Sequence, residues 1–248
     1  MVEIIWITGD THGGWIHRLN MDSFPEQREM TKEDYVIVLG DFGIWRDSPQ
    51  QRWYLNWLEE KHFTTLFIDG NHENYDILDA YPVEEWHGGK VHFIKPSVIH
   101  LMRGQVFDID DLKFFTFGGA ASHDISDGVL EIDDPRVKEW RDDPDKMYRI
   151  NHTSWWEREM PNQEEMDEGI KNLAEHDNKV DFILTHCTAS STAALLSHGL
   201  YKPDKLTDYL EEIRCNVDYG RWLCGHYHDN KAITTKDIVL YEQIVRIA

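Results

Sequence analysis

Aspartate, asparagine and histidine residues recur next to glycine, directly after short apolar runs of the sequence. Five segments show this pattern, four of them with an adjacent glycine: Asp10-Thr11-His12-Gly13, Gly40-Asp41, Gly70-Asn71-His72-Glu73, Thr185-His186 and Gly225-His226-Tyr227-His228. Imidazole and carboxylate together suit manganese, iron and zinc, whereas a dedicated magnesium or calcium site is built mainly from oxygen. Because no cysteine occupies these positions, a structural zinc site is disfavoured. The residue types therefore predict a centre for transition metals.

The spacing within two of these segments supports a metal centre. Asp10 and His12 are separated by one residue, and so are His226 and His228. At the end of an extended segment, residues i and i+2 point to the same side, so both members of a pair can reach one ion.

The apolar runs that precede these residues are of strand length and nearly continuous, as in strands buried on both faces. Predicted strands are 4–7, 35–39, 65–68, 114–117, 182–184 and 222–224. In α/β sheets the ligand site lies outside the carboxyl ends of the strands. If these strands are parallel neighbours, their polar terminal residues converge on one place.

Helical periodicity appears between several of the strands and sets the fold class. Predicted helices are 50–62, 163–175 and 204–213, and an antiparallel meander is predicted over 98–101, 105–109 and 112–117. Strands that alternate with helices indicate an α/β fold, here with mixed sheets. We expect a single domain over residues 1–248, with an insertion or lid at about 119–161.

The five segments, in this order, resemble the calcineurin-like metallophosphoesterase superfamily, and in particular its small bacterial and phage members. The resemblance spans residues 10–228 and implies a β-sandwich of mixed sheets flanked by helices. It also implies two divalent transition-metal ions, manganese first, with iron, zinc or nickel as alternatives. One ion would be held by Asp10, His12 and His228, the second by Asn71, His186 and His226, and Asp41 would bridge them. His72 would stabilise the transferring phosphoryl group or protonate the leaving group.

One departure from the superfamily's protein phosphatases narrows the resemblance. Their arginines after Gly-Asp and after Asn-His-Glu have no counterparts in line with Gly40-Asp41-Phe42-Gly43 or Asn71-His72-Glu73-Asn74-Tyr75. A protein phosphatase is therefore disfavoured. The implied reaction is hydrolysis of a phosphomonoester or phosphodiester by direct attack of a metal-bridging hydroxide, with the ions ~3.5–4 Å apart.

Single members of the set also have structural explanations. Asp10 and Asp41 could be helix N-caps, and Asn71 could be a turn residue beside Gly70. Such explanations account for one residue at a time and not for the ordered set. We interpret Glu73 as a structural carboxylate, and Trp15 and Trp45 as candidates for the wall of a pocket.

Charge and composition restrict the partners. The formal net charge is −21, and Lys and Arg are scattered, so a nucleic-acid footprint is disfavoured. We expect a small phosphorylated substrate and no membrane partner, since no apolar run approaches the ~20 residues of a membrane span. The first residues lack the basic region of a signal peptide, and three cysteines suit a reducing compartment, so the expected location is the cytoplasm.

Two other functions stay open as alternatives. One is a nuclease of the same superfamily that acts on nucleic-acid ends, which the net charge disfavours. The other is a non-catalytic metal-binding scaffold, which would have no need of His72.

The 119–161 segment shows no clear periodicity but is rich in aromatic residues, including Trp155 and Trp156. Long loops in compact domains are often lids or binding loops. Our hypothesis is that this segment covers the metal site and selects the leaving group, with His123 reaching inward. The alternative is a surface excursion whose tryptophans pack on the main core.

Overall fold

The computed structural model describes residues 3–248, and most of this chain builds two stacked β-sheets with helices on both outer faces. Met1 and Val2, which begin the N-terminal stretch without a basic region, lie outside the described residues. The strands are β1 Ile5–Thr8, β2 Tyr35–Leu39, β3 Thr64–Ile68, β4 Val83–Trp86, β5 Gly89–Lys95, β6 Val98–Leu101, β7 Gln105–Ile109, β8 Leu112–Phe117, β9 Gly128–Leu130, β10 Tyr148–Ile150, β11 Lys179–Thr185, β12 Asp218–Cys224, β13 Lys231–Ala232, β14 Asp237–Val239 and β15 Ile244–Arg246.

The helices lie between these strands. They are α1 Trp15–Arg18, α2 Pro49–Glu59, α3 Tyr75–Leu78, α4 Pro135–Trp140, α5 Gln163–Glu175, α6 Ser190–Leu196 and α7 Lys205–Asn216, with 3-10 turns at Pro25–Glu29 and Glu157–Glu159. Three of the longer helices begin at capping side chains, since Ser48, Asn162 and Asp204 accept hydrogen bonds from backbone N–H groups of the first turns of α2, α5 and α7. Across residues 3–248, every helix is too short or too polar to cross a bilayer.

Both sheets are mixed, with parallel strands at their centres. The first has the order β15-β1-β2-β3-β6-β5-β4, and β1, β2, β3 and β6 run parallel. The second has the order β13-β14-β12-β11-β8-β7, and β14, β12, β11 and β8 run parallel. A third, small sheet pairs β9 with β10. The structure thus confirms an α/β fold of mixed sheets flanked by helices.

The main core lies between the two large sheets. Ile37 and Leu66 of the first sheet face Leu184 and Leu223 of the second, and each is at most 1% exposed. Alternate residues of the same strands point outward, where helices α2, α5 and α7 cover them. Each large aliphatic side chain buried in this way contributes roughly 1.5–3 kcal/mol to folding. Burial on both faces explains why the strand sequences are almost continuously apolar.

The predicted strands are confirmed, with ends that differ from the prediction by up to a few residues. The predicted antiparallel meander is wrong in part. Strands β7 and β8 do form an antiparallel hairpin. Strand β6 instead belongs to the other sheet, where Ile99 is paired with Leu66 of β3. The chain passes from one sheet to the other at residues 102–104, a crossing that consecutive apolar runs do not reveal.

Two further differences concern the helix at 50–62 and the 119–161 segment. The helix ends at Glu59, before the predicted limit. The 119–161 segment contains β9, α4 and β10, although no regular element was expected there. Elements of three to six residues are too short to establish a periodicity.

A buried ion pair lies where the chain crosses between the sheets. Arg103 Nε donates to Asp69 Oδ2 at 2.8 Å, and both side chains are 2% exposed. Arg103 Nη2 also donates to Tyr75 Oη at 2.7 Å and to the carbonyl oxygen of Arg158 at 2.8 Å. Burial alone would raise the pKa of Asp69, but Arg103 and His100 bring it well below its ordinary value. The pair therefore joins the end of β3 to the crossing and to residue 158.

We expect Arg103→Leu to lower the free energy of unfolding by about 3–5 kcal/mol, because it leaves the buried Asp69 carboxylate without its cation. The matched control is Arg52→Leu, which removes an exposed ion pair with Asp47 and should cost no more than about 1 kcal/mol. Urea denaturation of both variants measures the difference. Equal stabilities would show that Arg103 does not stabilise the fold through this pair.

Candidate metal centre

The polar residues that follow five strands meet at one edge of the sandwich. Asp10, Asp41 and Asn71 follow β1, β2 and β3, which are adjacent and parallel in the first sheet. His186 and His226 follow β11 and β12, which are adjacent and parallel in the second. The strands are thus divided between two sheets, and the residues converge across the sandwich as well as along one edge.

The first group of donors consists of Asp10, His12 and His228, whose donor atoms all lie within 4.8 Å of one another. The Nε2 atoms of His12 and His228 are 3.0 Å apart. Asp10 Oδ2 lies 3.2 Å from His228 Nε2 and 3.9 Å from His12 Nε2. The two imidazoles therefore point at one position beside the Asp10 carboxylate.

The second group is centred on His186, which is fully buried. His186 Nε2 lies 3.3 Å from Asp41 Oδ1 and 3.2 Å from Asn71 Oδ1. The ring of His226 is 5.0 Å from that of His186, measured between centroids. Three of the predicted ligands, His186, Asp41 and Asn71, therefore meet at this second position, and the ring of His226 lies beside them.

Asp41 lies between the two groups. Its Oδ1 faces His186, while its Oδ2 lies 3.8 Å from His12 Nδ1. The same Oδ1 also accepts a hydrogen bond from the backbone N–H of His72 at 2.7 Å. One carboxylate thus contacts a histidine of each group, at His12 through Nδ1, while His12 Nε2 faces His228.

The residues fit a metal ion on three observations. Asp10 Oδ2 is buried and accepts no well-aligned hydrogen bond from any residue of 3–248. Asp10 Oδ1 accepts a hydrogen bond from the backbone N–H of His226 at 2.9 Å, but a buried carboxylate oxygen such as Oδ2, without such a bond or a cation, is costly. The 3.0 Å separation of the His12 and His228 nitrogens matches two neighbouring ligands on an ion with bonds of about 2.1 Å.

The third observation is electrostatic. Burial would lower the pKa of His186, but Asp41 and Asp10 raise it to about 10. The two carboxylates therefore favour a positive charge at this position. A metal ion can supply that charge in place of the proton, since a ligating imidazole must be neutral.

The backbone is strained at four of the candidate ligands. His12, Asp41, His226 and His228 have φ values of 47°, 44°, 67° and 49°, in the left-handed region that non-glycine residues rarely adopt. Each such residue costs on the order of 1–3 kcal/mol, and such residues cluster at functional sites.

Two glycines permit the close packing of this region. A Cβ atom at Gly40 would lie 2.1 Å from His186 Nδ1, and one at Gly70 would lie 2.0 Å from Asp41 Oδ1. No other residue type fits at either position without displacing a candidate ligand.

The candidate ligand Asn71 is oriented by a serine and a glutamate of the 119–161 segment. Asn71 Nδ2 donates to Ser122 Oγ at 3.4 Å, and Ser122 Oγ donates to Glu159 Oε2 at 2.7 Å. The backbone N–H of Ser122 donates to Glu159 Oε1 at 2.8 Å. With its amide nitrogen directed at Ser122, Asn71 turns its Oδ1 toward His186. Sequence reasoning missed Glu159, because no local pattern connects it with Asn71.

His72 lies beside the two groups and is half-buried. Its ring centroid is 5.6 Å from that of His12 and 5.8 Å from that of Trp45. Burial lowers the pKa of His72. The side chain borders a cavity over the centre, where it can reach a bound group.

Other predictions about the surroundings have mixed outcomes. His123 lines the same cavity, with its ring centroid 6.4 Å from that of His226, as hypothesised. Glu73 is buried and accepts hydrogen bonds from the backbone N–H groups of residues 42–44, in agreement with a structural role. Trp15 is 1% exposed and packs against Phe42, so it contributes mainly to the core.

The chain was compared with known families and structures. The family described as calcineurin-like phosphoesterase matches residues 4–230, a range that contains every candidate ligand. No curated protein is significantly similar to this chain. Among solved structures, the phosphopantetheinyl hydrolase of Mycobacterium tuberculosis is similar over 96% of this chain and 88% of that chain, with 15% identity and a TM-score of 0.48.

We expect Ser122→Ala to weaken metal binding roughly 10–100-fold, because Asn71 would lose the group that orients its amide. A matched control is Ser97→Ala, since Ser97 makes the same two hydrogen bonds to Glu59 away from the centre. Titration of both variants with Mn²⁺ measures the affinities. If the two variants bind Mn²⁺ equally well, Ser122 does not position the ligand.

Proposed function

The chain belongs to the calcineurin-like phosphoesterase family, and on this basis we propose that it is a dinuclear metal-dependent phosphoesterase. Its substrates would be small phosphomonoesters or phosphodiesters, cleaved by direct attack of hydroxide without a covalent enzyme intermediate. The observation that carries the proposal is the position of Asp41, with one carboxylate oxygen toward His186 and the other toward His12. A bridging ligand of a two-metal site needs this arrangement.

The ligands would divide as the two groups do. Asp10, His12 and His228 would hold one ion, Asn71, His186 and His226 the second, and Asp41 both. Manganese is proposed first because the donors mix carboxylate and amide oxygen with imidazole nitrogen. When bound, two such ions lower the pKa of a shared water and neutralise charge on the phosphate.

The residues of the chain supply the remaining requirements. The backbone N–H of His72 and the ring of His186 hold the Asp41 carboxylate before substrate arrives, which avoids its reorganisation during the reaction. His72 faces the cavity above the donors, where its imidazole can donate a hydrogen bond to a phosphoryl oxygen or to the leaving-group oxygen. The net charge of −21 favours small substrates over nucleic acid.

The proposal requires metal-dependent hydrolysis of aryl phosphates. We expect chelation to abolish the activity and Mn²⁺ to restore it, with up to two ions per chain by elemental analysis. Asp41→Asn should lower kcat by more than roughly 100-fold. This loss is larger than that caused by removing a residue that only hydrogen-bonds to a metal ligand. Asp34→Asn is the control. Asp34 is also a buried carboxylate next to a strand, but it accepts hydrogen bonds from backbone N–H groups. Full activity of metal-free protein would refute the proposal.

The role of His72 has a separate test. If His72 protonates the leaving group, His72→Asn should lower kcat about 10²–10⁴-fold with unchanged metal content. The loss should shrink for p-nitrophenyl esters, whose leaving group needs no proton, and grow for alkyl esters. The exposed His62 provides the control variant His62→Asn. The same loss for every leaving group would assign His72 to stabilisation of the phosphoryl group instead.

A further inference from the structure

Two cavities meet at the candidate metal centre. The first, of about 590 Å³, is bordered by His72, His226, His123, Tyr201 and Lys202, among others. The second, of about 480 Å³, is bordered by His12, Trp45, Arg46, Tyr54 and Ser154, among others. His72, on the first cavity, and His12, on the second, are neighbours, with ring centroids 5.6 Å apart. A phosphate on the metal ions would therefore have access to both.

Each cavity alone is large enough for an organic group. Pockets for small molecules typically measure ~300–1,000 Å³, so both volumes lie within that range. A phosphomonoester has one organic group and could fill only one of the two cavities. A phosphodiester has two such groups, one on each side of the phosphorus, and could fill both.

The two cavities have the same kind of lining. In the first, Tyr201 stacks on Tyr227 at 5.6 Å between centroids, with Lys202 next in sequence. In the second, Trp45 and Tyr54 provide the aromatic surface and Arg46 the cation. Aromatic walls with a few polar groups suit planar organic groups, and they fix orientation as well as affinity.

The two cations are available to a ligand. Among residues 3–248, neither Lys202 nor Arg46 forms an ion pair, although the chain carries 46 acidic residues. Arg46 borders the second cavity without a carboxylate among its described lining residues and favours an anionic substituent on that arm, whereas Lys202 shares the first cavity with Asp204 and favours a polar substituent there.

The 119–161 segment contributes to both walls. Ser122 and His123 border the first cavity, and Thr153 and Ser154 border the second. One segment thus limits the space on each side of the centre. An element that selects both groups of a substrate is expected to do the same.

From these observations we infer that the substrate is a phosphodiester with a planar group on each side, one group in each cavity. This inference rests on the proposed function. In the reaction, the water oxygen forms a bond to phosphorus, and the bond from phosphorus to one ester oxygen breaks. That ester oxygen leaves with a proton as an alcohol, and the other group stays on a phosphomonoester product.

Three synthetic substrates with the same leaving group test the inference in the presence of Mn²⁺. They are p-nitrophenyl phosphate, methyl p-nitrophenyl phosphate and phenyl p-nitrophenyl phosphate. The two diesters differ only in the second arm, which is small in the methyl ester and planar in the phenyl ester. We expect kcat/KM to be highest for the phenyl ester.

Variants of one aromatic residue per cavity assign the arms. Trp45→Ala and Tyr201→Ala should each lower kcat/KM for the phenyl ester roughly threefold to tenfold, the range expected for loss of one aromatic contact. Only the variant at the leaving-group cavity should also lower kcat/KM for the methyl ester. Trp53→Ala is the control, because Trp53 is 56% exposed and borders neither cavity. Thermal unfolding of each variant checks that it is folded.

The outcomes separate this inference from the proposed function. Three outcomes would contradict the inference of a substrate that fills both cavities: the monoester is the best substrate, the two diesters are hydrolysed equally, or only one aromatic variant affects the phenyl ester. In each of these cases the proposal of a phosphoesterase would still hold. If none of the three esters is hydrolysed by protein shown to hold two ions, the proposed function fails, and the inference fails with it.

Discussion

Two buried carboxylates, whose ionisable partners among residues 3–248 are histidines and not a lysine or an arginine, govern the arrangement of this protein. Asp10 and Asp41 follow adjacent parallel strands and are each 1% exposed. The groups that face them are histidines, which are cationic only when protonated. Burial of such charges is costly unless a cation is close. Glycine at position 40 leaves room for His186 beside Asp41, and glycine at position 70 leaves room for the Asp41 carboxylate itself.

A third carboxylate at the same edge shows the contrast. Asp69 follows β3 and is as deeply buried as Asp41, yet the guanidinium of Arg103 neutralises it. Asp69 therefore already has a cation, and its Oδ2 also accepts a hydrogen bond from Tyr75 Oη, just after the loop that carries Asn71 and His72. Carboxylates at the ends of neighbouring strands thus differ in their partners, because only Asp69 has a permanent cation.

The sequence allowed prediction of those parts that depend on local patterns. Buried parallel strands leave continuous apolar runs, and the donor residues directly follow them, so both could be recognised without a structure. The membership of β6 in the first sheet could not, because either sheet would bury its apolar side chains equally well. The sequence also could not predict that Ser122 and Glu159 are partners of Asn71. Ser122 lies 51 positions after Asn71, and Glu159 lies a further 37 positions along the chain.

The 119–161 segment borders both cavities, and it is also joined to the candidate centre by hydrogen bonds. Glu159 reaches Asn71 through Ser122, and the carbonyl oxygen of the preceding Arg158 accepts a hydrogen bond from Arg103, the partner of Asp69. A shift of this segment would therefore act on the orientation of a proposed metal ligand and on the loop that carries it. If a substrate group in either cavity moves the segment, the proposed metal affinity must change with it, because binding free energies are linked reciprocally. Substrate selection and metal binding would then be two properties of one set of contacts.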